Sequence, residues 1–397
     1  MTGRPIGIGV IGLGRAFTLM LPTFVADGRL RLVAATDPIA SARAQFERDF
    51  GGATYDDAEA VCADDRVDVV YVASPHQFHA GHVQRAFAAG RHVLVEKPMA
   101  LSIDECTAMI DAGRRAGRQL IVGHSHSFDR PVARVRELVE SGDFGAVRMI
   151  TALNFTDFLY RPRRPEELRT AEGGGVVFSQ GAHQIDIVRL VGGGLLEGLR
   201  AMTGAWDPQR PTEGAYSALL RFAGGAFAHA SYSGYAHFDS DELMDGFGEM
   251  GQRKTAADYG AARKRLATSD PAEEAAFKAA RNFGGSAYAA PPTRHATAWQ
   301  HFGFLLVCCD RADLRPTPTG VTIYGDRERR VEALPAPPYP RSEVVDELVA
   351  AVRHDVQPVH DGEWARATLE ACLAILASAR DGGDVRLLHQ VAVRRDG

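Results

Sequence analysis

The sequence has few cysteines, no long hydrophobic run and no block of like charge. Its 397 residues include five cysteines, an odd number without a C-x-x-C pair, so neither a disulfide framework nor a thiolate zinc site is indicated. The longest apolar stretch, residues 302–309, is far shorter than the roughly 18 residues that a membrane span needs. The N-terminus lacks a signal-peptide pattern, and we therefore expect a cytoplasmic protein.

Charge and composition exclude further classes of protein. The chain has 45 Lys and Arg against 50 Asp and Glu, a net charge of −5, and it lacks a basic tract that would follow a nucleic-acid backbone. Apolar residues make up 45% and charged residues 24%, as in ordinary globular proteins rather than disordered ones. The length allows two or three domains, and we expect a small-molecule partner rather than a nucleic acid or a membrane.

Up to residue 124, short β-branched runs alternate with segments of helical length. The runs cover residues 6–11, 30–35, 67–73, 92–95 and 120–122. Strands separated by helices in this way are typical of an α/β domain with a doubly wound parallel sheet. The sequence therefore predicts a doubly wound α/β domain over residues 1–124.

The pattern changes after residue 124, where longer runs follow one another with hairpin-length connections. They predict an α+β domain over residues 125–397 with a large, mainly antiparallel sheet. The predicted strands cover residues 147–155, 199–206, 215–222, 226–235 and 301–309, with a hairpin at 321–334 and one helix at 176–191. A polar helical excursion at about 238–298 is predicted as a surface or subunit-contact element, and amphipathic helices are predicted within 341–380.

The first predicted strand ends in a glycine loop, Gly12-Leu13-Gly14-Arg15-Ala16-Phe17. Glycines at this point permit a tight turn and bring backbone N–H groups to a pyrophosphate at a helix N-terminus. The usual small third residue is replaced by Phe17, which weakens the motif. Asp37 ends the second predicted strand, 23 residues after Gly14, where a carboxylate binds the adenosine ribose and repels a 2′-phosphate. NAD is therefore the expected cofactor, with nearby Arg43 as the one residue that argues for NADP.

Further motifs carry a family resemblance. They are Ser74-Pro75-His76 with His79, Glu96-Lys97-Pro98, Gly173-Gly174-Gly175 with Gly181, His183 and Asp186, and Asp361-Gly362-Glu363 with Arg366. Together with the glycine loop, they make the sequence similar to the Gfo/Idh/MocA family of nicotinamide-dependent oxidoreductases over essentially the whole chain, except residues 238–298.

The resemblance implies a Rossmann domain followed by an α+β domain whose open sheet commonly forms a dimer contact, so a homodimer or homotetramer is expected. It implies that Lys97 is the active-site lysine and His183 the active-site histidine. It also implies that Glu96 and Pro98 shape the nicotinamide pocket and that Ser74, Pro75, His76 and His79 belong to the cofactor site. Either Lys97 or His183 is suited to accept the hydroxyl proton during hydride loss.

The chain departs from the family at two places. Many members have an aspartate four residues before the histidine, whereas this chain has Ser179 followed by Gln180, which disfavours a polyol substrate. His124 and His126 stand where the family often has Asn and Arg, and we expect them to bind substrate. No metal is expected, because no carboxylate completes an evident ligand set.

A basic loop, Tyr160-Arg161-Pro162-Arg163-Arg164, follows the first long strand of the second domain. It is either a solvated or subunit-contact loop or a carboxylate-binding site, since a guanidinium pairs bidentately with a carboxylate. This loop and the Ser179 and His124 regions resemble a narrower group in the family, the dehydrogenases of carboxylated aromatic cis-dihydrodiols. The implied reaction oxidises a carboxylated cyclohexadiene diol to a catechol.

Three other functions remain open. They are a sugar or polyol dehydrogenase of the same family, an NAD-dependent glycosidase that oxidises its substrate transiently, and a dinucleotide sensor without catalysis. Net accumulation of NADH distinguishes a dehydrogenase from the glycosidase, because the hydrolytic cycle returns the hydride.

Overall fold

The computed structural model describes residues 3–268, 270, 273–289 and 297–394, which divide into two compact units. The first unit contains residues 3–124, 275–289 and 341–366, and the second contains the remaining described residues. The first segment of the first unit ends at residue 124. The two later segments of the first unit differ from the prediction, which assigned them to the second domain.

A six-stranded parallel sheet forms the centre of the first unit. Its strands are β1 (Ile6–Ile11), β2 (Leu30–Thr36), β3 (Ala53–Tyr55), β4 (Val69–Val72), β5 (His92–Val95) and β6 (Leu120–Val122). Their order is β3-β2-β1-β4-β5-β6, with every pair parallel. The predicted doubly wound sheet is confirmed, although β3 was not among the predicted strands. The order reverses between β1 and β4, which opens a binding crevice at the carboxyl ends of these strands.

Five helices connect these strands. They are α1 (Arg15–Ala26), α2 (Ala40–Phe50), α3 (Ala58–Ala63), α4 (His79–Ala88) and α5 (Ile103–Ala116). The predicted capping box begins α5, where Ser102 Oγ accepts a hydrogen bond from Glu105 N and the Glu105 carboxylate accepts one from Ser102 N. All six residues of β1 are buried, as expected for a strand covered by helices on both faces.

A nine-stranded, mostly antiparallel sheet forms the second unit. Its strands are β7 (Val147–Phe155), β8 (Leu196–Gly204), β9 (Ala215–Phe222), β10 (Phe227–Ser233), β11 (Phe304–Cys309), β12 (Ala312–Thr317), β13 (Gly320–Gly325), β14 (Arg329–Ala333) and β15 (Val385–Arg386). Their order is β14-β13-β12-β11-β7-β10-β9-β8-β15, and β7 and β10 pair in parallel. This confirms the predicted α+β architecture.

Helices α6 (Arg130–Glu140) and α7 (Ala182–Gly192) pack on one face of this sheet. The single helix predicted over residues 176–191 is divided, because a π-helical turn, Val177–Gly181, precedes α7. On the other face, β9 alternates buried and exposed residues, with Leu219 and Arg221 exposed. Among the described residues, the sheet is therefore covered by helices on one face and open on the other.

The C-terminal helices are α10 (Ser342–His354) and α11 (Gly362–Asp381). The prediction that they belong to the second domain is wrong for residues 341–366, which belong to the first unit. Asp346 of α10 pairs with Arg29 at 2.6 Å, and Val122 N of β6 donates to His360 O at 2.8 Å. These contacts join residues more than 200 positions apart, which a local sequence pattern does not reveal.

The excursion at 238–298 contains two short helices in its described part, α8 (Ala261–Ala267) and α9 (Glu274–Ala280). The residues that follow α9 pack in the first unit. Phe283 is buried, and Gly284 lies so close to α2 that a Cβ at this position would be 2.4 Å from Ala42 Cα. The interpretation of the excursion as a surface element alone is therefore corrected. Among the described residues, no helix combines the length and apolarity needed to cross a membrane.

Candidate active site

The glycine loop joins β1 to the N-terminus of α1. Gly12 has a φ of +98°, and a Cβ on it would lie 2.8 Å from Ala73 O, so both conformation and space require glycine. Gly14 is the N-cap of α1 and provides no side-chain cap for the helix. The first N–H groups of α1 are therefore suited to hold a pyrophosphate, as the motif predicts.

Asp37 is fixed beside this loop by two backbone N–H groups. Leu13 N donates to Asp37 Oδ2 at 2.7 Å, and Ile39 N donates to Oδ1 at 2.8 Å. Arg43 donates to the Asp37 carbonyl at 2.6 Å and pairs with Asp56 at 2.9 Å. The carboxylate is held at the ends of β1 and β2, where it retains lone pairs for ribose hydroxyls. The positive charge of Arg43 has a carboxylate partner of its own, which weakens the argument for NADP.

Phe17 has a packing role in place of the usual small residue. Its ring is fully buried and meets the Phe283 ring edge-on at 5.3 Å, with Phe46 at 6.3 Å. Phe283 N also donates to Thr18 Oγ1 at 3.0 Å. Phe283, in the segment after α9, is therefore the packing partner of the aromatic residue at this position of α1.

The loops after β4 and β5 are held together by His79. The ring is fully buried, with Nε2 2.9 Å from Ser74 O and Nδ1 3.0 Å from Pro98 O. Burial lowers the pKa of His79 and favours the neutral ring. The motif containing Ser74, Pro75 and His76 is thereby connected to the Glu96-Lys97-Pro98 motif on the neighbouring strand. His79 is a positioning residue here.

Glu96 and Lys97 differ in their surroundings. Glu96 is buried and accepts a hydrogen bond from Tyr71 OH at 2.6 Å, and its burial raises the pKa of the carboxyl group. Lys97 is partly buried at the carboxyl end of β5, and the Lys97–Pro98 peptide bond is cis. The sequence-predicted cofactor residues therefore all lie at the carboxyl ends of β1, β2, β4 and β5.

In the second unit, His183 lies in the first turn of α7, directly after the π-helical turn. Its buried ring packs against His126 at 4.9 Å and Phe302 at 5.0 Å, and His126 and Phe302 are 5.2 Å apart. A π-helical turn often occurs at a functional site. The structure thus brings two predicted histidines together and adds Phe302, which no sequence motif marked.

His126 belongs to a row of alternating charges, which we term the charge row: Asp129, His126, Glu249 and Arg161. His126 Nδ1 is 2.7 Å from Asp129 and Nε2 is 3.4 Å from Glu249, whose other oxygen is 4.0 Å from Arg161. Burial alone would lower the pKa of His126, but the two carboxylates outweigh it and raise this pKa to about 9. Burial would likewise raise the pKa of Glu249, whereas His126 and Arg161 lower it to about 2. Both groups are charged at neutral pH.

Glu249 was missed by the sequence analysis because it lies in the excursion. Its loop is closed by hydrogen bonds from Gly251 N to Gly248 O and from Gly248 N to Gln252 O. His301 holds the loop in place, since His301 N donates to Glu249 O and its ring contacts Phe247 O at 2.9 Å. The carboxylate is therefore held in a fixed position, and no local motif indicates it.

The predicted substrate residues Ser179 and Gln180 are turned toward their own unit. Ser179 Oγ donates to Gly175 O, one helical turn earlier. Gln180 is buried, and its Oε1 accepts a hydrogen bond from Tyr232 OH at 3.4 Å, while Tyr232 OH also lies 3.0 Å from Thr156 Oγ1. Gln180 thus lies beside a hydroxyl pair that sequence reasoning did not single out.

His124, His126 and Asp129 lie within one six-residue stretch, and their potential ligand atoms are within 4.8 Å of one another. The expectation that no carboxylate accompanies the histidines is corrected by Asp129. Both ring nitrogens of His126 nevertheless face carboxylates, in Asp129 and Glu249. Carboxylates beside both ring nitrogens favour the protonated imidazolium form of His126. An imidazolium has no free lone pair on nitrogen and is a poor metal ligand.

Comparison with known proteins places this geometry in context. A model of the oxidoreductase family with an NAD-binding Rossmann fold (GFO_IDH_MocA) matches residues 6–124, and the GFO/IDH/MocA C-terminal domain model matches residues 132–252. The 1-carboxy-3-chloro-3,4-dihydroxycyclohexa-1,5-diene dehydrogenase of Comamonas testosteroni is 46% identical over 383 residues, 96% of each chain. The D-glucoside 3-dehydrogenase of Escherichia coli is 30% identical over 48% of this chain and 55% of that protein.

Solved structures agree with this assignment. The structure of a putative dehydrogenase from Bordetella bronchiseptica has a TM-score of 0.91 and 41% identity, and the match covers 96% of this chain and 100% of that chain. The aldose-aldose oxidoreductase of Caulobacter crescentus has a TM-score of 0.72 at 21% identity, covering 97% and 100%, which shows a shared fold.

Proposed function

Because this chain belongs to the Gfo/Idh/MocA family of NAD-binding oxidoreductases, we propose that it oxidises a carboxylated aromatic cis-dihydrodiol to the corresponding catechol. The observation that carries this proposal is the 46% identity, over nearly the full length, to the Comamonas dehydrogenase of a carboxylated dihydroxycyclohexadiene. The cationic basic loop and the absence of an aspartate at position 179 support the same substrate class.

NAD, when bound, accepts a hydride at C4 of its nicotinamide. In this reaction Lys97 or His183 takes the proton of the hydroxyl group whose carbon loses the hydride. Imidazole and amine nitrogens can both accept a proton, so either side chain is chemically able to serve. The resulting hydroxydienone tautomerises to a catechol, and the gain of aromaticity makes the oxidation effectively irreversible.

The cofactor site fits the first part of this scheme. The N–H groups at the start of α1 and the Asp37 carboxylate would hold the pyrophosphate and the adenosine ribose. In the second unit, the hydroxyls of Tyr232 and Thr156, together with the charge row, supply hydrogen-bonding partners for a diol. We propose that these groups bind the diol and that His124 and His126 also bind substrate.

The experiment is a substrate panel followed by NADH absorbance. It contains cis-dihydrodiols with and without a ring carboxylate, together with myo-inositol and a glucoside. We expect net NADH formation with the carboxylated diols at a kcat/KM at least tenfold above that for the others. A preference for inositol or the glucoside would instead establish a polyol or sugar dehydrogenase. Hydrolysis of a glycoside without net NADH would establish the glycosidase.

We also propose a homodimer or homotetramer in the cytoplasm. On the open face of the nine-stranded sheet, Met202, Leu219 and Phe227 are 77%, 50% and 44% exposed, and covering them removes apolar surface from water. The five cysteines, all within the described part of the chain, form no disulfide, as is usual in a reducing compartment. Light scattering of the purified protein tests the assembly, and a monomer at micromolar concentration would contradict it.

A further inference from the structure

The three arginines of the basic loop have different electrostatic surroundings. Arg164 pairs with Glu166 at 3.0 Å and Glu167 at 3.7 Å, and its side chain is 39% exposed. Arg161 lies 3.6 Å from Asp157 and 4.0 Å from Glu249, with 43% exposure. Each of these guanidinium groups has two carboxylates beside it. A substrate carboxylate would have to compete with these neighbours or be repelled by them.

Arg163 has no such carboxylate partner within 4 Å of its guanidinium among the described residues. Its guanidinium lies 3.5 Å from the centre of the Phe158 ring, and Nη2 donates to Phe158 O at 2.6 Å. The buried Nε has no hydrogen-bond partner. A planar, bidentate donor is thus oriented by Phe158 while no carboxylate contacts its guanidinium among the described residues.

The surroundings of Arg163 disfavour the charged form of its guanidinium and so lower its pKa. Burial lowers the pKa of Arg163 to about 10, against the opposing effect of the Glu167 carboxylate, and the nearby positive charges of Arg161 and Arg210 lower it further. The charge of Arg210 is offset by a buried ion pair with Glu274 at 2.8 Å. Removing a cation from water without a carboxylate in contact is costly, and an anionic ligand would reduce that cost.

The backbone at Arg163 is also fixed. Arg163 N donates to Glu274 Oε1 at 2.6 Å, so the first residue of α9 holds the basic loop at this position. Pro162 restricts the loop further. The guanidinium is therefore preorganised by its backbone, by the Phe158 ring and by one carbonyl. Fixing a donor before the ligand arrives reduces the entropy lost on binding.

We propose that Arg163 is the residue of the basic loop that binds the ring carboxylate of the substrate. This inference rests on the proposed function, which supplies the carboxylate. Arg161 and Arg164 instead maintain the local structure through their acidic neighbours. The ring and the carbonyl of Phe158 hold the guanidinium in place before the ligand binds.

The test compares Arg163→Gln and Arg163→Lys with the matched variants Arg161→Gln and Arg164→Gln. Arg169→Gln serves as the control, because Arg169 is 55% exposed and pairs only at the surface with Glu172. For each protein, kcat/KM is measured with a carboxylated cis-dihydrodiol and with cis-benzene dihydrodiol. Calorimetry with benzoate and NAD-loaded enzyme gives a second readout that does not require turnover.

We expect Arg163→Gln to lower the ratio of the two kcat/KM values by about ten- to a hundredfold and to weaken benzoate binding by a similar factor. Arg163→Lys keeps the charge without the bidentate geometry, so an intermediate ratio is expected. Arg169→Gln should leave both readouts unchanged. If Arg163→Gln does not fold, the lysine variant and its benzoate affinity decide the question.

The inference is overturned if Arg163→Gln leaves the ratio and benzoate affinity unchanged, or if only Arg161→Gln or Arg164→Gln lowers them. It is also overturned if wild-type enzyme does not bind benzoate. Failure of the proposed function gives a different result, namely wild-type enzyme that oxidises no carboxylated diol. In that case benzoate binding that depends on Arg163 would still identify a carboxylate site.

Discussion

Replacing Phe17 with alanine restores the small residue typical of the glycine loop, and yet we expect it to destabilise the protein. Phe17 is completely buried between Phe46 and Phe283, so the shorter side chain leaves a cavity rather than closer packing of α1 on the sheet. Replacement of a buried phenylalanine by alanine lowers the free energy of unfolding by about 3–5 kcal/mol. That is a large share of the roughly 5–15 kcal/mol that stabilises a typical domain.

The contact with Phe283 has a separate, measurable energy. The two rings meet edge-on at 5.3 Å and 88°, a geometry that contributes about 0.5–1.5 kcal/mol beyond the buried area. A double-mutant cycle of Phe17→Ala and Phe283→Ala should therefore give a coupling energy in this range. Phe24→Ala is the matched control, because Phe24 is a buried ring of the same helix that packs on Tyr71. Its combination with Phe283→Ala should be additive.

Urea unfolding followed by tryptophan fluorescence and circular dichroism measures these free energies, and calorimetric titration measures NAD affinity. Two units need not unfold together, so the transition that shifts with NAD is the one to analyse. The reasoning is refuted if Phe17→Ala leaves that transition unchanged or stabilises it. Additivity of Phe17→Ala and Phe283→Ala would refute the proposed ring contact.

Three further predictions concern the sites. Asp37→Ala should reduce the preference for NAD over NADP, which we expect to be at least about tenfold in kcat/KM, and equal use of both cofactors by the wild type would contradict this. Lys97→Ala and His183→Ala should each lower kcat by about a hundredfold or more while NADH binding survives, and near-normal turnover would remove that residue from proton transfer. The raised pKa of His126 means that its ion pairs stabilise the fold fully below about pH 6.5 and lose this contribution as pH rises through about 9. Glu249→Gln should lower that pKa, measured by NMR titration of His126, and an unchanged value would exclude Glu249 as its partner.

Much of the fold could be predicted from the sequence because its strands are continuous apolar runs or regular alternations. The predicted bounds of β1, β5, β6, β7 and β9 coincide with the observed ones. Strand β12 escaped prediction because it contains Pro316, which usually argues against a strand. Pro316 lies beyond the two residue pairs that join β12 to β11, so no hydrogen bond of that pairing is lost.

The cofactor-binding residues of the candidate site could be predicted from the sequence, whereas Glu249 and Phe302 in the second unit could not. The glycine loop and Asp37 depend on the local geometry of successive βα units, and such geometry has a motif. Glu249 has none, because its loop is held by hydrogen bonds from the backbone N–H and the ring of His301, about 50 residues away. Phe302 likewise meets His126 and His183 only in the folded chain.

Residues of the excursion lie beside two unusual positions of the sequence, Phe17 in the glycine loop and, through His126 and His183, the region of Ser179. A bulky residue at position 17 is tolerable because Phe283 packs against it, and the carboxylate that is missing at Ser179 has a counterpart in Glu249, which pairs with His126 beside His183. The same segment provides Glu274, which fixes Arg163 and neutralises Arg210. Removing the segment would therefore expose a cavity in the first unit and leave unpaired charges in the second. Phe17 and Arg163 therefore have to be interpreted together with the excursion residues that contact them.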